Sequence, residues 1–279
     1  MEKPILVMGS DDHARAVEAF MLGAGHPVHR FSSTDSLTVC GDDEHFALKL
    51  PNGFLCDEMS TKSMYWRTYD GIEHHDEYVV THNRRSIFES WLKHMDTAST
   101  CWNGWSAWSM HQTKPYQHMA MCDIHGLRVS QVVPSVYGKT NQDLYACRKC
   151  VQGGMLAAGP GEWLRTDAPY LHQDVVKGMT FRVFMIGDSY DNYVAYHIQT
   201  PKFDYRDDPR VMITREEVCQ DVLMDLQDML CWLGWMWAGI DVIYSEGIWH
   251  ILDVNPSPMF LGWDSEQPVL RKLCASLMR

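Results

Sequence analysis

Residues 239–260 read GIDVIYSEGIWHILDVNPSPMF, and this stretch decides the fold. Ala238 to Tyr244 and Ile248 to Val254 are apolar runs rich in Ile and Val. Ser245-Glu246-Gly247 lies between them, so two strands joined by a turn are predicted. Asp241 sits in the first strand, and Asp253 and Asn255 sit in the second. Residues two apart on a strand project to one face, so Asp253 and Asn255 point together while Leu252 and Val254 bury the opposite face. If Asp241 lies on the paired strand, three oxygen ligands converge, a set that suits Mg²⁺ with waters and phosphates. The same spacing also fits a solvated hairpin face stopped by a Pro-rich segment.

Outward from the hairpin, Val218, Val222, Leu226, Met229, Leu230 and Leu233 recur at helical spacing up to Gly234. Thr214-Arg215-Glu216-Glu217 before them has the form of a capping box. Trp232, Trp235 and Trp237 beside this helix end read as packing residues. Thr180 to Ile186 and Tyr193 to Ile198 are predicted strands around a Gly187-Asp188 turn. Further back, Lys114 to His125 looks helical, with Met119, Ala120 and Cys122 among its less polar positions and Gly126 as its stop. Leu127 to Val133 reads as extended. Residues 138–168 are rich in Gly, Pro and polar side chains, and mobility is expected there.

The N-terminal part opens as strand, helix, strand. Ile5 to Gly9 is a short buried strand, Ser10-Asp11-Asp12 offers a helix N-cap, and Gly23 and Gly25 stop the helix. His26 to Phe31 is the next strand. The single Gly9 is far short of a dinucleotide fingerprint. Residues 33–60 read as hairpins and loops. Residues 83–95 read as a helix with Ile87, Trp91 and Leu92 on one face. His74, His75 and His82 fall in a polar stretch and read as solvated. A linker-like stretch from Asp96 to Ser106 closes this part.

The chain has 279 residues, long enough for one or two folding units with a real core. Its formal charge of −12 argues against a broad nucleic-acid surface, and no nucleic-acid partner is expected. The longest strongly apolar run, Met229 to Ile240, falls short of the roughly 20 residues a spanning helix needs. No membrane partner and no secretory signal are expected. Nine Cys without framework spacing read as reduced thiols of a cytoplasmic protein. The pair Cys147 and Cys150 lacks the companion ligands that a zinc site needs.

The hairpin resembles the signature end of the ATP-grasp superfamily. There a Gly-hydrophobic-Asp strand and a Glu-hydrophobic-Asn-Pro strand hold Mg²⁺ against the phosphates of ATP. Asp253 stands where the family more often has Glu. Leu171 to Val176 (LHQDVV) resembles the hinge strand whose backbone contacts adenine, which implies Gln173, Asp174, Val175 and Val176 as nucleotide-binding residues. Gly178 to Val183 (GMTFRV) resembles the next strand, whose Arg faces the transferred phosphate, here Arg182. Phe203 to Arg206 resembles a second Arg-bearing element near the acceptor, which implies Arg206. Lys149 and Lys114 stand where the family places lysines on the phosphates. Ser60 to Arg67 (STKSMYWR) and Cys101-Trp102-Asn103 resemble the first domain of the microviridin- and graspetide-type enzymes, RimK-like ligases that modify ribosomal peptides.

The resemblance implies an α/β (α+β) ATP-grasp fold. An N-terminal pre-ATP-grasp α/β domain would cover residues 1–105, a central lid domain 106–178 and a C-terminal domain 179–279. It implies a ligase that uses ATP and Mg²⁺ to activate a carboxylate as an acyl phosphate. An amine or hydroxyl then forms an amide or ester, and ADP and phosphate leave. Asp241, Asp253 and Asn255 would hold the metal, and Arg182 and Arg206 would be catalytic. The implied partners are a peptide or amino-acid carboxylate and its acceptor, and a homodimer is usual in the family. The alternatives are a ligase of free amino acids or small metabolites, and a nucleotide-binding protein without catalysis.

Overall fold

The computed structural model describes residues 2–31, 38–41, 46–57, 59–67, 78–97, 101–138, 146–150, 157–158, 170–202, 205 and 208–279. The chain forms two compact units, Met1–Trp105 with Met259–Arg279, and Ser106–Pro258.

In the first unit, β1 (Ile5–Met8) is wholly buried. Asp11 then caps α1 (Asp12–Gly23), its carboxylate accepting from the Ala14 N–H at 2.9 Å. This satisfies one of the amides that a helix start leaves unpaired. β2 (Val28–Phe31) returns parallel to β1, as the strand–helix–strand reading requires. β3 (Thr38–Gly41), β4 (Phe46–Lys49) and β5 (Leu55–Cys56) form a small antiparallel sheet. β6 (Ser63–Trp66) pairs parallel with the other edge of β1.

α2 (Tyr78–Thr97) buries Phe88, Trp91, Leu92 and Met95. Ile87, assigned to that face from sequence, lies outside the stripe because the helix turns its 88, 91, 92, 95 row inward. His82 lies on this helix rather than in a loop, and His74 and His75 lie outside the described residues. The expected linker contains a strand, β7 (Cys101–Trp102), which extends the parallel sheet beyond β6. The C-terminal helix, Pro268–Leu277, packs on α1 and β6, and Ser63 Oγ donates to the Leu277 carbonyl at 2.9 Å.

His13 sits in the first turn of α1, with its Nδ1 accepting from the Phe260 and Leu261 N–H groups at 3.3 Å each. Burial, then the nearby Arg67 guanidinium, pushes its pKa from the ordinary 6.5 to about 4. A proton on Nδ1 would face two donors. The unfolded chain takes up this proton near pH 6.5 and the folded chain near pH 4, so stability is full above that window and falls as the pH drops through it. The expected result in chemical denaturation is a larger loss between pH 7 and pH 5 for the wild type than for His13→Gln.

The second unit begins at Ser106, within α3 (Trp105–Gln112), and continues with α4 (Lys114–Cys122). β8 (Ser130–Val132) follows, and then β9 (Ser135–Gly138), β10 (Ala146–Cys150), β11 (Ala157–Ala158) and β12 (Tyr170–Asp174) form an antiparallel sheet in the order β11-β10-β12-β9. Most of the Gly- and Pro-rich region 138–168, where mobility is expected, and the Cys147 and Cys150 side chains lie outside the described residues.

β13 (Met179–Ile186), β14 (Tyr193–Gln199), β15 (Met212–Glu216), α5 (Gln220–Leu233), β16 (Trp237–Ser245) and β17 (Ile248–Asn255) complete this unit, and α6 (Pro268–Leu277) is the C-terminal helix already described. The larger sheet has the order β15-β14-β13-β16-β17-β8.

The predicted capping box is a strand instead. Thr214 pairs with His197 in the β14–β15 ladder, and α5 starts later, with Cys219 as an N-cap that makes no side-chain bond. Edge pairing has overridden the local cap signal here. The rest of α5 follows its apolar spacing and ends on Gly234 at φ 72°, a left-handed position that glycine adopts without a Cβ penalty. Trp235 and Trp237 are buried as expected, but Trp232 is exposed. Asp225 is fully buried on the inner face of α5. It accepts backbone N–H bonds from Arg128, Val129 and Ser130 at 2.8, 2.9 and 2.9 Å. This anchor fixes the start of β8, which pairs parallel with β17. Among the described residues no helix is long and apolar enough to cross a membrane.

Candidate active site

The site is built on three adjacent strands of the second unit, β13, β16 and β17. Glu246 and Gly247 join β16 to β17 at φ 52° and 86°. Two successive left-handed residues match the twist of the strands they connect. Asp241 lies directly opposite Asp253, and Gly239 opposite Asn255, so the three oxygen-bearing side chains occupy one end of the hairpin. Val242 pairs with Ile251, which leaves Leu252 as the extra residue of a β-bulge. Ile251 and Val254 are therefore both fully buried, and Leu252, expected on the buried face with Val254, is only partly covered.

Arg182 on β13 is registered against Asp241, and its Nη1 donates to Asp241 Oδ1 at 2.7 Å. The guanidinium is almost wholly buried. Burial opposes its charge, but Asp241, Tyr205 and Asp253 outweigh that, so its pKa is held above the ordinary arginine range. Space for it comes from Gly239. A Cβ there would stand 2.5 Å from Arg182 Nη2 and 2.6 Å from the Pro258 Cβ. Gly239→Ala must displace the guanidinium or the Pro258 turn. The expected result is a loss of about 1–3 kcal/mol of stability from the overpacked slot, read by urea denaturation.

Asp253 is gripped from the other side by α4. Lys114 Nζ donates to Asp253 Oδ1 at 2.8 Å and lies 3.4 Å from the Val254 carbonyl. His118 Nε2 is 3.8 Å from the same carboxylate oxygen, and Gln117 Nε2 donates to the Val254 carbonyl. The buried stripe of α4 is Lys114, Gln117, His118 and Met121. Met119, counted from sequence among the less polar positions, is 57% exposed, and the helix ends at Cys122 rather than at Gly126. A search for apolar periodicity passes over a helix whose inward face is polar. The signal that could have found Gln117 and His118 is their spacing of three and four residues from Lys114.

Asn255 Oδ1 accepts from the Ser257 N–H at 2.9 Å and stays partly exposed. Gln173, at the end of β12, is buried, with Nε2 donating to the Val133 and Leu252 carbonyls at 3.0 and 3.1 Å. Asp174 is exposed, and Val175 and Val176 are half-buried in the segment beyond the strand. Lys149 lies on β10, opposite Leu171 of β12 and Ala157 of β11, and its side chain is outside the described residues. Arg206 also lies outside them.

Asp241, Asp253 and Asn255 offer two carboxylates and an amide oxygen, the hard donors that Mg²⁺ takes. Both carboxylates keep partial exposure, with side chains 30% and 21% accessible, so neither is sealed by its cationic partner. Among the described residues no group of three His, Cys, Asp or Glu side chains gathers for a metal, so the donor set depends on the amide of Asn255 as well. The residues fit the ion.

No protein-family model and no curated protein matches this chain. Solved structures do. The ATP-grasp ligase PsnB, complexed with a minimal precursor, superposes with a TM-score of 0.75 at 21% identity, covering 100% of both chains. A RiPP-associated ATP-grasp ligase from Chryseobacterium gregarium, in complex with ADP and a leader and core peptide, gives 0.73 at 16% identity, covering 99% of this chain and 97% of that one. The macrocyclase MdnC from Microcystis aeruginosa MRC, bound with the precursor peptide MdnA, gives 0.68 at 12% identity, covering 98% and 100%. From the signature hairpin to the α/β unit at the N-terminus, the fold of this chain is that of the ATP-grasp ligases.

Proposed function

We propose that this chain is an ATP- and Mg²⁺-dependent ligase that activates a carboxylate of a peptide and joins it to an amine or hydroxyl. The observation that carries this reading is the opposed pair of ion contacts, Arg182 with Asp241 and Lys114 with Asp253, facing each other across the β16–β17 register. Two cations and two carboxylates at one strand end form a site for a polyanion with its divalent counterion. Support for a peptide comes from the similar structures, of which PsnB was solved with precursor peptide and AMPPNP, and with minimal precursor, Mg and ADP.

Phosphoryl transfer asks for positioning and charge neutralisation more than covalent protein chemistry. Asp241, Asp253 and Asn255 would hold Mg²⁺, which when bound neutralises phosphate charge. Lys114 and Lys149 neutralise the nucleotide, and the backbone of 173–176 receives adenine. Arg182, pre-set by Asp241, stabilises the charge that develops on the transferred group. Arg206 orients the substrate carboxylate through a bidentate contact. Within residues 106–178 the sheet β11-β10-β12-β9 acts as the lid, and the strands from 179 onward, with Lys114 of α4, carry the chemistry. The activated carboxyl is an acyl phosphate, and attack by the acceptor on its carbon releases phosphate.

The test is Mg²⁺-dependent ADP release with pooled acidic peptides and, separately, pooled amino acids, followed by mass spectrometry. The expected result is ADP release with the peptide pool and a product lighter by one water for each bond formed. A response confined to the amino-acid pool assigns the chain to small-molecule ligation instead. Absence of nucleotide binding overturns the ligase reading, and nucleotide binding without ADP release leaves a specific substrate outside both pools or a nucleotide-binding protein without catalysis.

A further inference from the structure

The outer edge of β17 is paired over only part of its length. β8 is registered against Trp249, His250 and Ile251, and Val133 N–H closes this ladder on the Ile251 carbonyl at 2.9 Å. Among the described residues no strand is registered on that edge beyond Ile251. The chain turns away at Pro134, which has no N–H to continue the ladder. Yet this is the bulged segment that presents Asp253 and Asn255.

Side chains take the place of the missing strand. Gln173 Nε2 donates to the Leu252 carbonyl, on the extra residue of the bulge, and Gln117 Nε2 donates to the Val254 carbonyl. The two amides come from different elements, β12 and α4, and reach the backbone on either side of Asp253. Both are buried, and the Oε1 atom of each has no hydrogen-bond partner among the described residues. A buried amide with an unmet acceptor costs stability relative to an apolar side chain of the same size. Each amide thus leaves its own acceptor unmet in exchange for meeting backbone carbonyls, and what it gains is a fixed backbone geometry.

We infer that Gln117 and Gln173 are positioning residues for the metal: by capping the Leu252 and Val254 carbonyls they lock the bulge and aim Asp253 and Asn255 at one ion. This rests on the metal assignment of the proposed function. Groups that orient ligands from behind typically change metal affinity by about 10–100-fold when removed.

The experiment is calorimetric binding of ADP to the full chain across a Mg²⁺ series, for wild type, Gln117→Met, Gln173→Met and Asp253→Asn, with thermal midpoints measured alongside. Met keeps the length of Gln and removes its donors. The expected result is an apparent Mg²⁺ affinity about 10–100-fold weaker in each Met variant, with each variant still folded by its thermal transition and with the ADP affinity of Gln117→Met in the absence of metal close to wild type. An unchanged Mg²⁺ dependence in the Met variants, with that of Asp253→Asn weakened, overturns this inference and leaves the metal assignment standing. An unchanged dependence in Asp253→Asn overturns the metal assignment itself. If one Met variant fails to fold, the other decides. Loss of the fold in both makes the amides structural and overturns the inference.

Discussion

Asp253→Asn is expected to reduce ADP release by roughly 10²–10³-fold, the scale on which a preorganised electrostatic group acts. Two consequences of the same substitution separate cleanly. The first is exchange of a charged carboxylate ligand for a neutral and weaker amide oxygen, which weakens the Mg²⁺ dependence of nucleotide binding. The second concerns Lys114, whose side chain is only 8% exposed and whose ammonium bonds Asp253 Oδ1 at 2.8 Å. Neutralising Asp253 leaves that cation buried beside an amide, and breaking such a pair costs about 3 kcal/mol or somewhat more. Urea denaturation should therefore show a marked loss of stability with the loss of activity. Adding Lys114→Met removes the stranded charge. The double variant should recover most of the stability and none of the turnover. Recovery of turnover in the double variant would mean that Asp253 serves only to neutralise Lys114.

Arg182→Lys is expected to lower kcat by about 10³-fold while changing the affinity for Mg²⁺ and ADP by no more than a few fold. Lysine keeps the charge but not the planar fork. The Arg182 fork has one arm on Asp241 at 2.7 Å, in a slot that Gly239 leaves open. A single ammonium placed there can hold Asp241 or face the transferred group, but not both in the same geometry. Single-turnover kinetics separate this defect from slow product release. A rise confined to the KM for nucleotide, with kcat unchanged, would remove Arg182 from the chemical step and make it a binding residue.

The legible parts of this protein are those where local pattern and tertiary packing ask for the same thing. The β16–β17 hairpin is one: its strand lengths, its turn and its paired acids follow from alternation and turn chemistry. The α1 cap at Asp11 and the α5 stop at Gly234 are others. Pattern reading fails where long-range pairing decides. The Thr214-to-Glu217 segment looks like a cap, but the edge of β14 takes most of it as a strand. The bulge at Leu252 depends on a one-residue slip between strands, and no period in the sequence announces it. On α4, polar residues occupy the buried stripe because their partners are backbone carbonyls and a carboxylate more than a hundred residues away. Within the candidate site, Lys114, Arg182, Asp241 and Asp253 are joined by ion pairs, and Gln173 and Asn255 adjoin them through backbone contacts. Gln117 and His118 enter only with the three-dimensional arrangement, which also supplies the reason for the Gly239 of the signature strand.

The first unit is discontinuous, since its parallel sheet comes from residues before 106 while α6 comes from residues 268–277. The apolar stripe of Val269, Leu270, Leu273, Cys274 and Leu277 is wholly buried there. During synthesis the contiguous stretch 106–258 emerges before that cover exists. The middle of the chain can therefore fold first, while the sheet built from residues before 106 waits, with apolar surface bare, for α6 to be translated. Chaperone demand should fall on that waiting sheet, and a carboxy-terminal truncation that removes α6 should show its damage as poor yield from cells.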